Sequence, residues 1–177
     1  WVGISGAWRT NDRQVERDVR EAVRAIFEER NGIVTGGALG VDYFAADEAF
    51  TYDPKAERIK IAVPSSYENY IKHLYMWAKG HETGDEPITK KDVVKLEMRL
   101  NAIKEANPSA IIPCGMTSAG EIAKDAYYAR NSVVVDLSDE LLAFHINKSK
   151  GTQDTIDKAR AKGIHVRVKD YLRPPLP

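Results

Sequence analysis

Ile33-Val-Thr-Gly-Gly-Ala-Leu-Gly-Val-Asp42 is the stretch of this 177-residue sequence that decides the fold. It begins with three strand-forming residues, continues at once into a loop with three glycines, and leads into an alanine-rich helix. A buried strand that passes directly into a helix is typical of a parallel sheet, because parallel neighbours need a crossover connection. The stretch therefore predicts an α/β protein.

The same alternation of strand and helix extends on both sides of this stretch. Residues 1–5 predict a first strand, residues 58–63 a third, residues 140–146 contain a fourth, and residues 164–168 form a fifth. Apolar residues at helical spacing lie between most of these segments. We predict a Rossmann-like, doubly wound parallel sheet with the strand order 3-2-1-4-5.

Residues 64–117 interrupt the alternation. They contain an aromatic-rich helical pattern at 67–77 and a second helix that Thr89 and Asp92 would cap. A segment of about 50 residues is marginal for a core of its own. We therefore predict a single domain over residues 1–177, with residues 64–117 as a helical insertion after strand 3.

Composition excludes several classes of protein. The 26 Lys and Arg residues balance 26 Asp and Glu, whereas a protein built mainly to coat DNA should carry a basic excess. The single cysteine, Cys114, excludes an internal disulfide framework and a multi-cysteine zinc site, and the four histidines form no metal-ligand pattern. No apolar stretch is long enough for a membrane span and no signal peptide is visible. We expect a cytoplasmic protein with no metal, no cofactor and no membrane partner.

Three loops are predicted to meet at one edge of the sheet. In an open parallel sheet, ligands bind beyond the carboxyl ends of the strands where the strand order reverses, here between the first and fourth strands. Glycine lets the backbone approach an anion, and a helix N-terminus favours phosphate. Arg9, Lys148 and Lys150 add positive charge. The three loops are residues 5–9, 35–42 and 148–152.

Each loop has a plainer interpretation when it is taken alone. Gly36 and Gly37 are equally consistent with a tight strand-to-helix turn, since neither the P-loop spacing nor G-x-G-x-x-G is met. Residues 148–152 alone are more typical of a solvated loop. Convergence of the three loops on one edge favours a nucleotide-like small-molecule ligand.

Four motifs, in order, resemble the SLOG superfamily, which includes the DNA-processing protein DprA/Smf, the LOG phosphoribohydrolases and YspA-like proteins. Thr35-Gly-Gly-Ala-Leu-Gly-Val-Asp42 is similar to the superfamily motif S/T-G-x-A-x-G-I/V-D. The resemblance covers roughly residues 1–63 and 118–168. The other three motifs are Gly3-Ile-Ser-Gly6 with Arg9, Arg130-Asn131, and the ending formed by Ser138-Asp139, Leu142-Ala-Phe144 and Ser149-Lys-Gly-Thr152.

The resemblance implies a Rossmann-like fold that holds the phosphate of a nucleotide or nucleotide-derived ligand through its glycine-rich loops, and it implies self-association into a homo-oligomer. Asp42 would either contact the ligand or bond its own loop and helix. Arg130 would either reach a phosphate or be a surface helix charge. The predicted ligand-binding residues are Ser5, Gly6, Arg9, Gly36, Gly37, Gly40, Asp42, Arg130, Ser149, Gly151 and Thr152.

One alternative function is DprA-like binding of single-stranded DNA. Arg9 and the two lysines of the 148–152 loop could contact phosphates, and Trp8, Tyr67 and Tyr70 could stack bases. The neutral overall charge argues against it, and so does Leu39, which stands where DprA commonly has arginine.

A second alternative is LOG-like hydrolysis of the N-glycosidic bond of a nucleoside monophosphate. This reaction needs a carboxylate near the sugar. Thr155 stands where the LOG motif has its catalytic glutamate, so the catalytic residue is left unassigned. The remaining candidate carboxylates are Asp42, Glu121 and Asp154.

Overall fold

A computed structural model describes residues 1–80, 89–115 and 122–172 of the chain. These residues form a six-stranded sheet in the order β4-β3-β2-β1-β5-β6, and every pair of neighbouring strands is parallel. The strands are β1 (Val2–Gly6), β2 (Ile33–Thr35), β3 (Ile59–Val63), β4 (Ile111–Pro113), β5 (Glu140–Ile146) and β6 (His165–Tyr171). The helices are α1 (Arg13–Glu28), α2 (Val41–Tyr52), α3 (Tyr67–Gly80), α4 (Lys90–Ala106), α5 (Lys124–Asp136) and α6 (Lys150–Lys162), with a 3-10 turn at Pro108–Ala110.

The helices cover both faces of the sheet, which gives the predicted Rossmann-like, doubly wound α/β fold. α1, α2 and α4 share one core with Ile33 and Ile61 of the sheet. On the other face α5 packs on Val34 and Ala62, and α6 packs on Leu141. Successive residues of β2 thus face opposite cores, as the two-residue repeat of a strand requires.

The predicted strand order 3-2-1-4-5 is wrong for the sheet as a whole, because a sixth strand lies at its edge. β4 pairs with β3 through Ile61 and Ile111 and through Val63 and Pro113. The five predicted strands keep their relative order, the predicted fourth and fifth being β5 and β6. β4 is as short as β2, only its Ile111 is buried, and it lies inside the segment 64–117 that we predicted to be a helical insertion. No alternating pattern therefore indicates a strand there.

Residues 64–117 contribute more to the fold than the predicted helical insertion. The segment contains α3, α4 and the edge strand β4. The capping box at Thr89 and Asp92 is confirmed, with the Asp92 amide donating to the Thr89 hydroxyl over 3.2 Å. The single domain over residues 1–177 stays a prediction. No helix in the described ranges is both long and apolar enough to cross a membrane.

Candidate functional site

The strand order reverses between β1 and β5. At the carboxyl ends of these strands Ser5 lies opposite Ala143 and Gly6 opposite Phe144, so the loops that follow leave the sheet side by side. A side chain at Gly6 would meet Val41, since an added Cβ would lie 2.5 Å from its Cγ2 atom. Gly6 therefore lets the start of α2 pack against β1. We call the ends of β1, β2 and β5 with their three following loops the carboxyl edge.

The glycine loop between β2 and α2 is buried along its whole length, residues 36–40. Arg130 lies over Gly36, where an added Cβ would fall 1.0 Å from the Arg130 Nη1 atom. Tyr70 covers the next residue, because its hydroxyl donates to the Gly37 carbonyl over 3.0 Å and its ring is 1% exposed. Gly40 abuts the loop after β1. Packing thus explains all three glycines, and their contact with a phosphate stays a prediction.

A buried ion pair fixes this loop. The Arg130 guanidinium donates from Nη1 to Asp42 Oδ2 over 3.1 Å, and the two side chains are 12% and 7% exposed. The same carboxylate oxygen accepts the Ala38 amide at 3.2 Å. The surface-charge interpretation of Arg130 is therefore wrong, and Asp42 bonds its own loop, which was one of its two predicted roles.

Arg130 holds this position with a single anionic partner among the described residues. Its Nε atom is buried without a hydrogen-bond partner in the described ranges. Burial raises the pKa of the neighbouring Tyr127 phenol to about 12, an effect that the Arg130 guanidinium partly opposes. Tyr127 therefore stays neutral at physiological pH, and Asp42 alone balances the arginine charge.

Two consecutive residues of α5 connect the glycine loop with the loop after β5. Arg130 contacts Gly36 and Asp42, while the next side chain, Asn131, donates to the Gly151 carbonyl over 3.4 Å and to Asp154 over 3.0 Å. The structure therefore brings Gly36 and Gly151 to the same edge of the sheet. The Arg130-Asn131 dipeptide is one of the motifs that resemble the superfamily, but nothing in its spacing predicts this bridging role.

The loop between β5 and α6 holds an unusual backbone conformation. Asn147 and Lys148 have φ values of 46° and 52°, in the left-handed region that lysine rarely adopts. Two backbone hydrogen bonds hold it, from the Asn147 amide to the Tyr171 carbonyl at 2.9 Å and from the Ser149 amide to the Ile146 carbonyl at 3.0 Å. The lysine is thereby presented on a fixed backbone rather than on a mobile loop.

The N-terminus of α6 faces outward beside this lysine. Ser149 occupies the cap position but makes no side-chain hydrogen bond to the first turn, since its hydroxyl donates to Thr152 Oγ1 over 2.7 Å. Gly151 is exposed, and no atom lies within 4 Å of its Cβ position. The first amides of a helix lack partners within the helix and carry its positive dipole. Lys148 and Lys150, both exposed, form no ion pair with the described residues.

Trp8 and Arg9 form the β1 side of the carboxyl edge. The Arg9 guanidinium lies over the Trp8 indole, 4.4 Å from the ring centroid, and Trp77 packs edge-on against the same indole at 5.1 Å. Of the predicted stacking residues only Trp8 is partly exposed here. The prediction that bases stack on Tyr67 and Tyr70 is wrong, because both side chains are buried.

The carboxylates predicted for hydrolysis are engaged in structural contacts. Asp42 is the partner of Arg130, and Asp154 accepts from Lys158 at 2.7 Å and from Asn131 at 3.0 Å. Glu121 lies outside the described residues. Across the described ranges no group of three or more histidine, cysteine and acidic side chains could hold a metal ion.

The reversal of strand order between β1 and β5, with three loops at one edge, defines a Rossmann-like α/β protein. Solved structures with a similar fold include two DprA proteins. DNA processing protein A from Helicobacter pylori superposes with a TM-score of 0.64 at 21% sequence identity over 94% of this chain. DprA from Streptococcus pneumoniae superposes with a TM-score of 0.59 at 18% identity, also over 94% of this chain.

The likeness to these proteins is one of fold. This chain spans 63% of the Helicobacter pylori protein and 49% of the Streptococcus pneumoniae protein. No protein-family model matches the sequence, and no curated protein matches it.

Proposed function

We propose that this chain binds single-stranded DNA along the carboxyl edge, with backbone phosphates held by Arg9, Lys148, Lys150 and the first turn of α6. The observation that carries the proposal is the pair of unpaired lysines beside an uncapped, outward-facing helix N-terminus. Phosphate contacts supply most of the affinity of sequence-independent binding. A local group of cations serves this purpose although the chain has no net charge.

The geometry favours a strand over a small nucleotide seated in the glycine loop. Residues 36–40 are buried, with Arg130 over Gly36 and the Tyr70 hydroxyl on the Gly37 carbonyl, so the loop has little room for a ligand. The unpaired cations lie instead on the outside of two neighbouring loops, after β1 and after β5. An extended polyanion can contact both loops at once, and the partly exposed Trp8 with Arg9 offers a surface on which a base can stack.

The fold comparison supports the same function. The Helicobacter pylori protein, which shares this fold, binds single-stranded DNA. The hydrolase alternative is not proposed, because Asp42 and Asp154 are both held by cations.

Replacing Lys148 and Lys150 together with alanine is expected to weaken binding of an oligothymidylate and to flatten its dependence on salt. Each phosphate contact on a single strand contributes about 0.7 to the slope of log K against log salt, so loss of two contacts should lower the slope by about 1.4. Fluorescence-anisotropy titrations at several salt concentrations measure this slope.

The matched control is Arg30→Ala with Lys55→Ala, which removes the same charge from exposed positions at the opposite, amino-terminal edge of the sheet. The control pair should leave the slope unchanged. Equal flattening in both double variants, or no binding of the unsubstituted chain at low salt, would refute the proposal.

Lys148→Gly is expected to separate stability from binding. Glycine adopts a φ of 52° without the steric cost that lysine meets. Glycine also raises the conformational entropy of the unfolded chain, which offsets part of this gain, so the free energy of unfolding should rise by about 0.5 kcal/mol. Affinity for the oligothymidylate should fall because a cation is lost. Chemical denaturation and DNA titration measure the two effects.

Lys148→Ala is the control, since it loses the same charge and keeps the unfavourable φ. Equal stability of the two variants would contradict the assigned strain.

A further inference from the structure

A cavity of about 380 Å³ lies beside Gly40, on the face of the sheet that α1, α2 and α4 cover. It opens between the loop after β1 and the first turns of α4. Its volume lies within the range of small-molecule sites, roughly 300–1,000 Å³. It adjoins the carboxyl edge at Arg9 but is otherwise lined by residues outside the proposed strand contacts, among them Asn11, Leu39, Tyr43, Phe44 and Lys95.

The acidic groups of this cavity are already engaged. Glu16 pairs with Arg20 at 2.9 Å, and Arg20 also pairs with Asp47 and Glu48. Asp92 accepts the backbone amide of its capping partner Thr89 at 3.0 Å. The carboxylates therefore serve the helices that carry them.

The cavity groups that form neither an ion pair nor a hydrogen bond with the described residues are donors and cations, of which Arg9 also lies over the Trp8 indole. Arg9 and Lys95 form no ion pair with any described residue, and they approach the cavity from opposite sides, one on the loop after β1 and the other on α4. In the same described ranges neither the exposed Asn11 amide nor the half-buried Tyr43 hydroxyl makes a hydrogen bond. Burial raises the pKa of the Tyr43 phenol, so at neutral pH it remains a donor. Unpaired donors and cations around one cavity are complementary to an anion.

The floor of the cavity is apolar. Leu39 and Phe44 are buried, and the half-buried Tyr43 ring packs edge-on against Phe44 with the centroids 6.1 Å apart. The planar base of a nucleotide can pack against this floor while the phosphate of the same nucleotide reaches Arg9 and Lys95. Leu39 stands where DprA commonly has arginine, so the glycine loop lacks that cation. In this cavity the same residue supplies apolar surface.

We propose that this cavity is a nucleotide site that adjoins the proposed strand contacts, shares Arg9 with them and takes one nucleoside monophosphate unit, with the phosphate between Arg9 and Lys95 and the base against Leu39 and Tyr43. The unit is either a free nucleotide or one residue of a bound strand. The second source rests on the proposed single-strand binding, and the first does not.

Isothermal titration calorimetry with dAMP and with an oligothymidylate tests this assignment. Lys95→Ala should weaken binding of the probe that fills the cavity by about tenfold, the usual effect of losing one hydrogen bond to a charged group. Tyr43→Phe should weaken it less, since only a neutral donor is lost. Lys104→Ala is the control, because this lysine lies on the same helix, pairs with Glu68 at 2.8 Å and does not line the cavity.

The two probes distinguish the sources of the ligand. A loss of dAMP affinity in Lys95→Ala with unchanged strand affinity assigns the cavity to a free nucleotide, and the reverse assigns it to a unit of the strand. Unchanged affinity for both probes in Lys95→Ala and Tyr43→Phe overturns the proposal. Lys148→Ala with Lys150→Ala keeps the outcomes separate, because that double variant should weaken strand binding through the carboxyl edge and leave the affinity of the cavity for dAMP unchanged.

Discussion

Gly40→Ala is expected to lower the free energy of unfolding by about 3 kcal/mol, the combined order of a strained backbone and of overpacking in a buried site. Gly40 has φ 68° and ψ −128°, a conformation that residues with a Cβ rarely adopt. The added Cβ would also lie 2.4 Å from the Ala7 carbonyl oxygen and 3.0 Å from the Trp8 carbonyl carbon. These are backbone atoms and cannot rotate away. The loss is measured by equilibrium unfolding in urea.

Gly151→Ala is the matched control for this experiment. Nothing lies within 4 Å of its Cβ position, and Gly151 lies in the first turn of α6. Alanine is favoured over glycine in a helix, so the variant should be more stable by about 0.5 kcal/mol. Similar destabilisation in both variants would show that the contact between the glycine loop and the loop after β1 is not what Gly40 serves.

Arg130→Met is expected to cost about 3–5 kcal/mol, because it leaves a buried carboxylate without its counter-charge. Asp42 would retain only the Ala38 amide as a hydrogen-bond donor among the described residues. Methionine keeps much of the length and apolar surface of the arginine stem, so the measured change reports mainly the lost charge. Urea unfolding of the variant at neutral pH measures the cost.

A double-mutant cycle with Asp42→Asn decides whether the ion pair is the cause. Asparagine removes the uncompensated charge, so Arg130→Met with Asp42→Asn should be more stable than the sum of the single changes predicts. Coupling of about 0.5–3 kcal/mol is usual for residues in direct contact. Strict additivity would mean that Arg130 stabilises the loop through packing over Gly36 alone.

The sequence predicted the α/β class and five of the six strands, because each has a hydrophobic run bounded by turn residues. It missed β4, which lies inside the segment predicted to be a helical insertion and joins the sheet by pairing with β3. The capping box at Thr89 was predictable, since it depends on residues three positions apart.

The candidate site also has a part that the sequence predicts and a part that only the folded structure shows. The three loops of the carboxyl edge follow from the alternation of strand and helix, because all strands of a parallel sheet end at the same edge. The burial of each side chain cannot be predicted from these patterns. The glycine loop is covered, Arg130 is largely buried, and the rings of Tyr67 and Tyr70 face the core. The cavity beside Lys95 also had no counterpart in the motifs, because residues of α1, α2 and α4 meet there only after folding.

By itself, then, the sequence determined the alternation of strand and helix, the glycine positions and the absence of a net charge, because these depend on residue type and short spacing. Tertiary structure decided which charges far apart in the chain neutralise each other. Arg130 finds Asp42 across 88 residues of chain, whereas Arg9, Lys95, Lys148 and Lys150 find no acidic partner in the described ranges. Pairing of charges depends on distances that close only when the sheet and its helices pack, and those unpaired cations are the ones to which we assign binding.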